Sequence, residues 1–235
     1  GQSNMVGNYT FTSELPAVLQ DPQADVLFYP GSLTTLRSGY GIQFGPEVTF
    51  GRSIADAFPS ETFCLIKYAV NGSSLLSSWN PATGNVYAGF RTRVENGLAA
   101  LTAAGHTYEI AGMLWTQGEA ETGGTTTQVY QAALNEFIAD VRSRYGPNLP
   151  FFVSRLSSGQ TGLPATGLST IRAAQEYVAA NAPYTYLVDT DGFSIYTDNV
   201  HFVSAGQISL GQAFGQSYAA SVVPDETGPE IALLS

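Results

Sequence analysis

From residue 63 onward, apolar runs of strand length alternate with longer segments of helical spacing, and this alternation constrains the fold more than any other feature. FCLIKYAV (63–70) is a continuous β-rich run closed by Asn71-Gly72. VYAGFRTRVENGLAALTAAG (86–105) spaces its apolar residues as a helix does and stops at Gly105. The order then repeats with strand 108–117, helix 125–146, strand 150–157, helix 169–182, strand 185–190 and helix 204–223. Strands separated by helices imply βαβ units, hence a parallel sheet covered on both faces. The expected fold is α/β, a three-layer αβα sandwich around a roughly five-stranded parallel sheet. Residues 8–62 are less regular, with a helix predicted over 45–58 (GPEVTFGRSIADAF). The 235 residues suit one domain, 1–235, and show no internal repeat.

In such a sheet the carboxyl ends of the strands share one rim, and ligands bind there. Asn71, Gly72 and Ser73 follow the strand at 63–70. Thr116, Gln117, Gly118 and Glu119 follow the next, and TDNVHF, with Asp198 and His201, comes after the last. The chain itself opens on GQSNMVG, a glycine-bounded turn carrying Ser3.

Composition removes several classes of partner. Acidic residues outnumber basic ones by ten and Lys67 is the only lysine, so nucleic acid and anionic membranes are repelled. No run of about 18 or more apolar residues is present to span a membrane. Cys64, the only cysteine, lies in an apolar run and reads as a buried, inert thiol. With two histidines and one cysteine the chain lacks the ligands for a Cys/His zinc site. Few lysines and the acidic balance suit a secreted or periplasmic protein. The start at Gly1 fits either removal of a leader or a sequence that was simply begun at this residue.

A serine hydroxyl is a weak nucleophile that needs an adjacent base, and histidine supplies one near neutral pH. His106 precedes a strand and belongs to the opposite edge, whereas His201 belongs to the reactive rim. A base histidine needs an acceptor on its other nitrogen. Asp198, three residues earlier, can fill that place or can simply cap the turn; Asp189 and Asp191 compete less well. Acyl transfer also needs donors aimed at an oxyanion: the N–H of Gly72 and the amide of Gln117 follow strands, and the N–H of Ser3 does so if IALLS (231–235) stands before it.

Taken together, GQSNM (1–5), FGPEVTFG (44–51), KYAVNGSSLLSSW (67–79), WTQGEAE (115–121) and DNVHF (198–202) resemble the SGNH (GDSL-type) hydrolase superfamily. Within it they are similar to the branch of carbohydrate esterase family 6 and sialate O-acetylesterase-like proteins. The resemblance implies Ser3 as nucleophile, His201 as base and Asp198 as its orienting carboxylate, with Glu119 as the alternative. It implies Ser3, Gly72 and Gln117 as the oxyanion hole, an acetylated carbohydrate or small acetate ester as substrate, and no metal or organic cofactor. Two other readings are a short-chain lipase or arylesterase on the same scaffold, and a carbohydrate-binding module that has lost activity. Tyr9, Tyr29, Tyr40, Tyr68, Tyr87 and Trp79 are candidates for a sugar-stacking platform.

Members of this family carry an apolar strand immediately before GQSNM, and here nothing precedes it. IALLS (231–235), after the breaker-rich VPDETGPE (223–230), supplies the missing strand if the chain is circularly permuted. The other expectation for these five residues is a disordered or edge-packed tail.

Overall fold

Strands that are apolar at consecutive positions must be covered on both sides, and the computed structural model shows by what. Residues 1–38 and 43–222 are described, together with the backbone of 231–234. The strands are β1 (Gln23–Tyr29), β2 (Thr34–Leu36), β3 (Phe63–Ile66), β4 (Glu109–Trp115), β5 (Phe151–Ser154), β6 (Thr185–Val188) and β7 (Ile231–Leu234). The α-helices among the described residues are α1 (Ser3–Val6), α2 (Ala17–Gln20), α3 (Glu47–Ala57), α4 (Asn85–Ala103), α5 (Thr127–Tyr145), α6 (Ala165–Asn181) and α7 (Ser204–Ser221). The boundaries of α5 have plain causes: the Thr126 side chain accepts from Val129 N at 3.3 Å at its start, and Gly146 (φ 143°) ends it.

The sheet runs in the order β2-β1-β3-β7-β4-β5-β6. Every neighbouring pair is parallel except β1 with β2. The expected sheet of roughly five parallel strands is therefore corrected to six parallel strands and one antiparallel edge. The excess lies in residues 8–62, where QADVLFY, set between Pro22 and Pro30, forms β1 and TTL forms β2. IALL pairs with β3 on one side (Leu65 opposite Leu233) and with β4 on the other (Met113 opposite Leu234), joining two three-stranded halves. The linker 223–230 lies outside the described residues, as do 39–42 and Ser235.

Two apolar cores flank the sheet. Phe90, Phe137, Ile171 and Val178 of α4, α5 and α6 cover one face with Cys64, Ile66, Phe151 and Val153. Phe50, Ile54, Leu210, Phe214 and Tyr218 of α3 and α7 cover the other with Phe63, Leu65 and Phe152. In β4 the register against β7 shifts between Ile110 and Gly112, a bulge of one residue. Ala111 and Leu114 consequently face the α3/α7 layer, while Met113 and Trp115 face the α4/α5/α6 layer. Trp115 there packs 4.4 Å from Phe137 and edge-on to Trp79 at 5.0 Å, centroid to centroid. Each helical layer spans the sheet from β3 to β5, and the carboxyl ends of the parallel strands form the rim where an α/β sheet binds its ligands. Cys64 is buried, and burial pushes its thiol up to about 12, as suits a packing residue.

Candidate active site

The slot of β7 continues into the first residues of the chain. Gly1 O accepts from Val70 N at 3.1 Å on the β3 side, and Gln2 N donates to Thr116 O at 3.0 Å on the β4 side. Helix α1 begins at once, with Met5 N and Val6 N both donating to Gln2 O at 2.8 and 2.9 Å. It ends after one turn at Gly7 (φ 97°), where any Cβ would lie 1.9 Å from Phe44 O, so only glycine fits. Ser3 is thereby held on the carboxyl-terminal rim as the first helical residue, 6% exposed. As the first helical residue, its N–H has no intrahelical partner.

His201 comes from the turn after β6. Tyr196 N donates to His201 O at 2.7 Å, Ile195 bridges Phe202, and Asn199 takes φ 56° inside the turn. The Asp198 carboxylate does both things expected of it. Its Oδ1 accepts from Val200 N (2.9 Å) and His201 N (3.0 Å), capping the turn, while Oδ2 lies 2.7 Å from His201 Nδ1. His201 Nε2 lies 2.9 Å from Ser3 Oγ. Ser3, His201 and Asp198 therefore meet in one line across 198 residues of sequence. Burial alone pushes the Asp198 carboxyl up, but hydrogen bonds from the His201 backbone and ring and from Val200 N outweigh it and hold it below its ordinary value.

Glu119 is buried, and its Oε1 accepts from Asn4 Nδ2 at 2.7 Å and Gln160 Nε2 at 3.4 Å; Oε2 has no hydrogen-bond partner. Burial raises its pKa, opposed by those amides and by His201. Asn4 also accepts from Phe202 N at 2.9 Å and donates to Val200 O at 3.2 Å, and Gln160 donates to Val200 O at 2.8 Å. Glu119, Asn4 and Gln160 thus fasten the serine turn to both sides of His201. Asn4 and Gln160 carried no role in the sequence reading, although Asn4 stands inside GQSNM.

Gln117 is fully buried behind the rim. Its Nε2 donates to Glu121 Oε2 at 2.5 Å and Ser73 O at 3.3 Å, and its Oε1 accepts from Tyr130 Oη at 3.0 Å. Both amide hydrogens are engaged within the protein, so the structure does not leave this side chain a donor for an oxyanion. Gly72, at φ 64°, sits in the exposed turn after β3 with open space around its α-carbon. That turn is braced from below, by Gln117 on Ser73 O and by Trp79 Nε1 on Ser73 Oγ at 2.7 Å.

Asp189 and Asp191 serve a different purpose. Arg155 bonds both, at 2.6 and 2.9 Å, and Arg172 grips Asp191 with two bonds of 2.8 Å. Arg172 chiefly, against the penalty of burial, holds the Asp191 carboxyl well below the usual carboxylate range. Because the folded value is depressed, this stabilisation is present above about pH 4, the unfolded value, and disappears as pH falls through the folded one. Asp191→Asn is expected to lower Tm by about 2–4 °C at pH 7, partial exposure limiting the effect, and by progressively less on acidification; calorimetry across pH measures it.

Of the aromatic candidates, Tyr29, Tyr87 and Trp79 are buried in the core and Tyr68 packs edge-on to Trp79, while Tyr40 lies outside the described residues. Tyr9 alone reaches the site, with its ring centroid 5.1 Å from that of His201. His106 lies just before β4, on the opposite rim from His201.

A hydroxyl, an imidazole and a carboxylate in line on the ligand-binding rim of an α/β sheet are what acyl transfer through an activated serine requires. Residues 1–220 match the family described as carbohydrate esterase, sialic acid-specific acetylesterase, and the chain belongs to that family of carboxylic ester hydrolases. Among solved structures, the fold is similar to that of the Arabidopsis thaliana protein AT4G34215 (TM-score 0.76, 20% identity, 94% of this chain and 95% of that one). It is also similar to XAC1771, a carbohydrate acetylesterase from Xanthomonas citri (TM-score 0.65, 16% identity, 94% and 54%). NanS is a third (TM-score 0.62, 14% identity, 94% of each chain). No curated protein sequence matches the chain.

Proposed function

We propose that this protein is a serine esterase that removes acetyl groups from O-acetylated carbohydrates through an acyl-enzyme. The observation that carries the reading is the unbroken line Ser3 Oγ–His201 Nε2–His201 Nδ1–Asp198 Oδ2, with contacts of 2.9 and 2.7 Å. With the Nδ1 proton directed to Asp198, Nε2 is free to take the Ser3 proton as Oγ attacks the ester carbonyl carbon. The N–H groups of Ser3 and Gly72 receive the oxyanion, and Gln117 fixes the Gly72 turn from below. Collapse breaks the bond to the sugar oxygen, which leaves with the proton from His201. Water then attacks the acetyl-serine with His201 again as base, and acetate departs. The family match supports acetyl as the acyl group and carbohydrate as its carrier.

In this reading Asp198 orients the base and Glu119 is a positioning residue that acts through Asn4. Asp198→Asn keeps acceptors for the turn but loses the charge beside Nδ1, and kcat on p-nitrophenyl acetate is expected to fall about 10²–10⁴-fold. Glu119→Gln keeps a carbonyl for Asn4 Nδ2 and is expected to cost less than about tenfold. An equal loss in both variants would overturn the assignment of Asp198.

We also infer a single catalytic domain, 1–235, in which the strand before the serine turn is supplied from the far end by circular permutation. Its support is the pairing of β7 between β3 and β4, in the slot that Gly1 and Gln2 extend.

A further inference from the structure

Beside His201 lies a cleft of about 430 Å³ that the triad itself does not use, lined by Tyr9, Phe11, Glu14, Tyr196, Val203 and Ser204 among others. Three of its walls are aromatic rings left in solvent: Tyr9 is 41% exposed, Phe11 46% and Tyr196 37%. Large rings are usually buried, so three exposed together around one concavity need an explanation.

The cleft is continuous with the site. Tyr196 belongs to the turn that carries Asp198 and His201, and Tyr9 stacks on it with centroids 4.3 Å apart and planes 13° from parallel. Tyr9 reaches that position with φ 61°, a left-handed conformation that is unfavourable for a bulky residue and persists only where surroundings enforce it. At the far end Phe11 N donates to Ser204 Oγ at 3.0 Å, and the same hydroxyl bonds Glu14 Oε2. Phe11 and Glu14 are thereby both fixed to the start of α7.

The chemistry of these walls selects a ligand. A pyranose ring presents a face of C–H groups that packs on the electron-rich face of an aromatic ring, and hydroxyls around its edge that donate to a carboxylate. Glu14 is the only charged residue among those described around the cleft, so a ligand bearing its own carboxylate is repelled there. We propose that this cleft is a subsite for an uncharged pyranose unit of the acetylated substrate, packed on Tyr9, Phe11 and Tyr196, with Glu14 accepting from its hydroxyls. The inference rests on the esterase reading and narrows its substrate to glycans of neutral sugars.

Two measurements test it. The first is the ratio of kcat/KM on an O-acetylated xylo-oligosaccharide to that on p-nitrophenyl acetate. Phe11→Ala is expected to lower this ratio about tenfold, and Glu14→Gln about threefold or more. The second is calorimetric binding of the deacetylated xylo-oligosaccharide to the Ser3→Ala protein, which needs no turnover and so stands even if the esterase reading fails. Binding that weakens about tenfold on adding Phe11→Ala supports the subsite. Equal ratios in parent and variants, no binding to the Ser3→Ala protein, or higher kcat/KM on O-acetylated sialic acid than on the neutral glycan would each overturn it.

Discussion

Ser3→Ala is expected to lower kcat/KM on p-nitrophenyl acetate by about 10⁴-fold or more while moving Tm by no more than a few degrees. Loss of the hydroxyl removes the atom that His201 Nε2 contacts at 2.9 Å, and with it the proposed acyl-enzyme route. The fold has no comparable stake in Oγ. Helix α1 is held through Gln2 O, through the Gly7 N–H on Ser3 O at 3.0 Å, and through Asn4, none of which involves the hydroxyl. His201→Ala is expected to cost about as much, and the double variant little more than either, because the two side chains act on one proton. Initial rates with acid-quenched burst measurements check this directly: the parent releases nitrophenol ahead of acetate, and Ser3→Ala shows no burst. A Ser3→Ala protein that turns over at the parental rate would place the nucleophile elsewhere.

The parts of this molecule that could be read from its sequence are those in which local pattern and global role coincide. The strands and helices after residue 63 carry their periodicity openly: β3 and β5 are buried at every position, and the helices between them bury one face. Strand β1 is not legible in the sequence because its alternation is broken: Ala24 and Asp25 are both exposed, and the buried positions are polar Gln23 and then Val26, Phe28 and Tyr29. For the site, GQSN and DNVH carry the side chains that the fold brings together, and a spacing of three residues lets Asp198 both cap its turn and face the imidazole. What the sequence could not supply was the direction of an amide. Gln117 follows a strand, as an oxyanion donor should, but Glu121 and Tyr130 reach it from the next turn and the next helix and hold it inward. Glu119 is the complementary case, a carboxylate beside the site whose reach to Asn4 only the tertiary structure settles.

A chain ending at Val222 is expected not to fold, although it keeps every residue of the triad and both helical layers. β7 is the middle strand of the sheet, paired along both edges at Ile231, Ala232, Leu233 and Leu234. Without it β3 and β4 face each other across an empty strand position, with rows of buried N–H and C=O groups unpaired on both. Each such group costs about 1–3 kcal/mol, so the two rows together match or exceed the roughly 5–15 kcal/mol by which domains of this kind are stable. Thermal unfolding of the shortened chain should show no cooperative transition, and p-nitrophenyl acetate hydrolysis should be lost. The companion variant moves residues 229–235 in front of Gly1 and ends at Val222, replacing one connection by another. Gly1 and Gln2 already bond to Val70 and Thr116 in line with β7, so the relocated strand enters the serine turn without a change of direction. That chain should regain a cooperative transition and esterase activity together. A shortened chain with the parental Tm would mean that another segment fills the central position. A relocated strand that restores neither property would mean that the slot and the serine turn are not one continuous path.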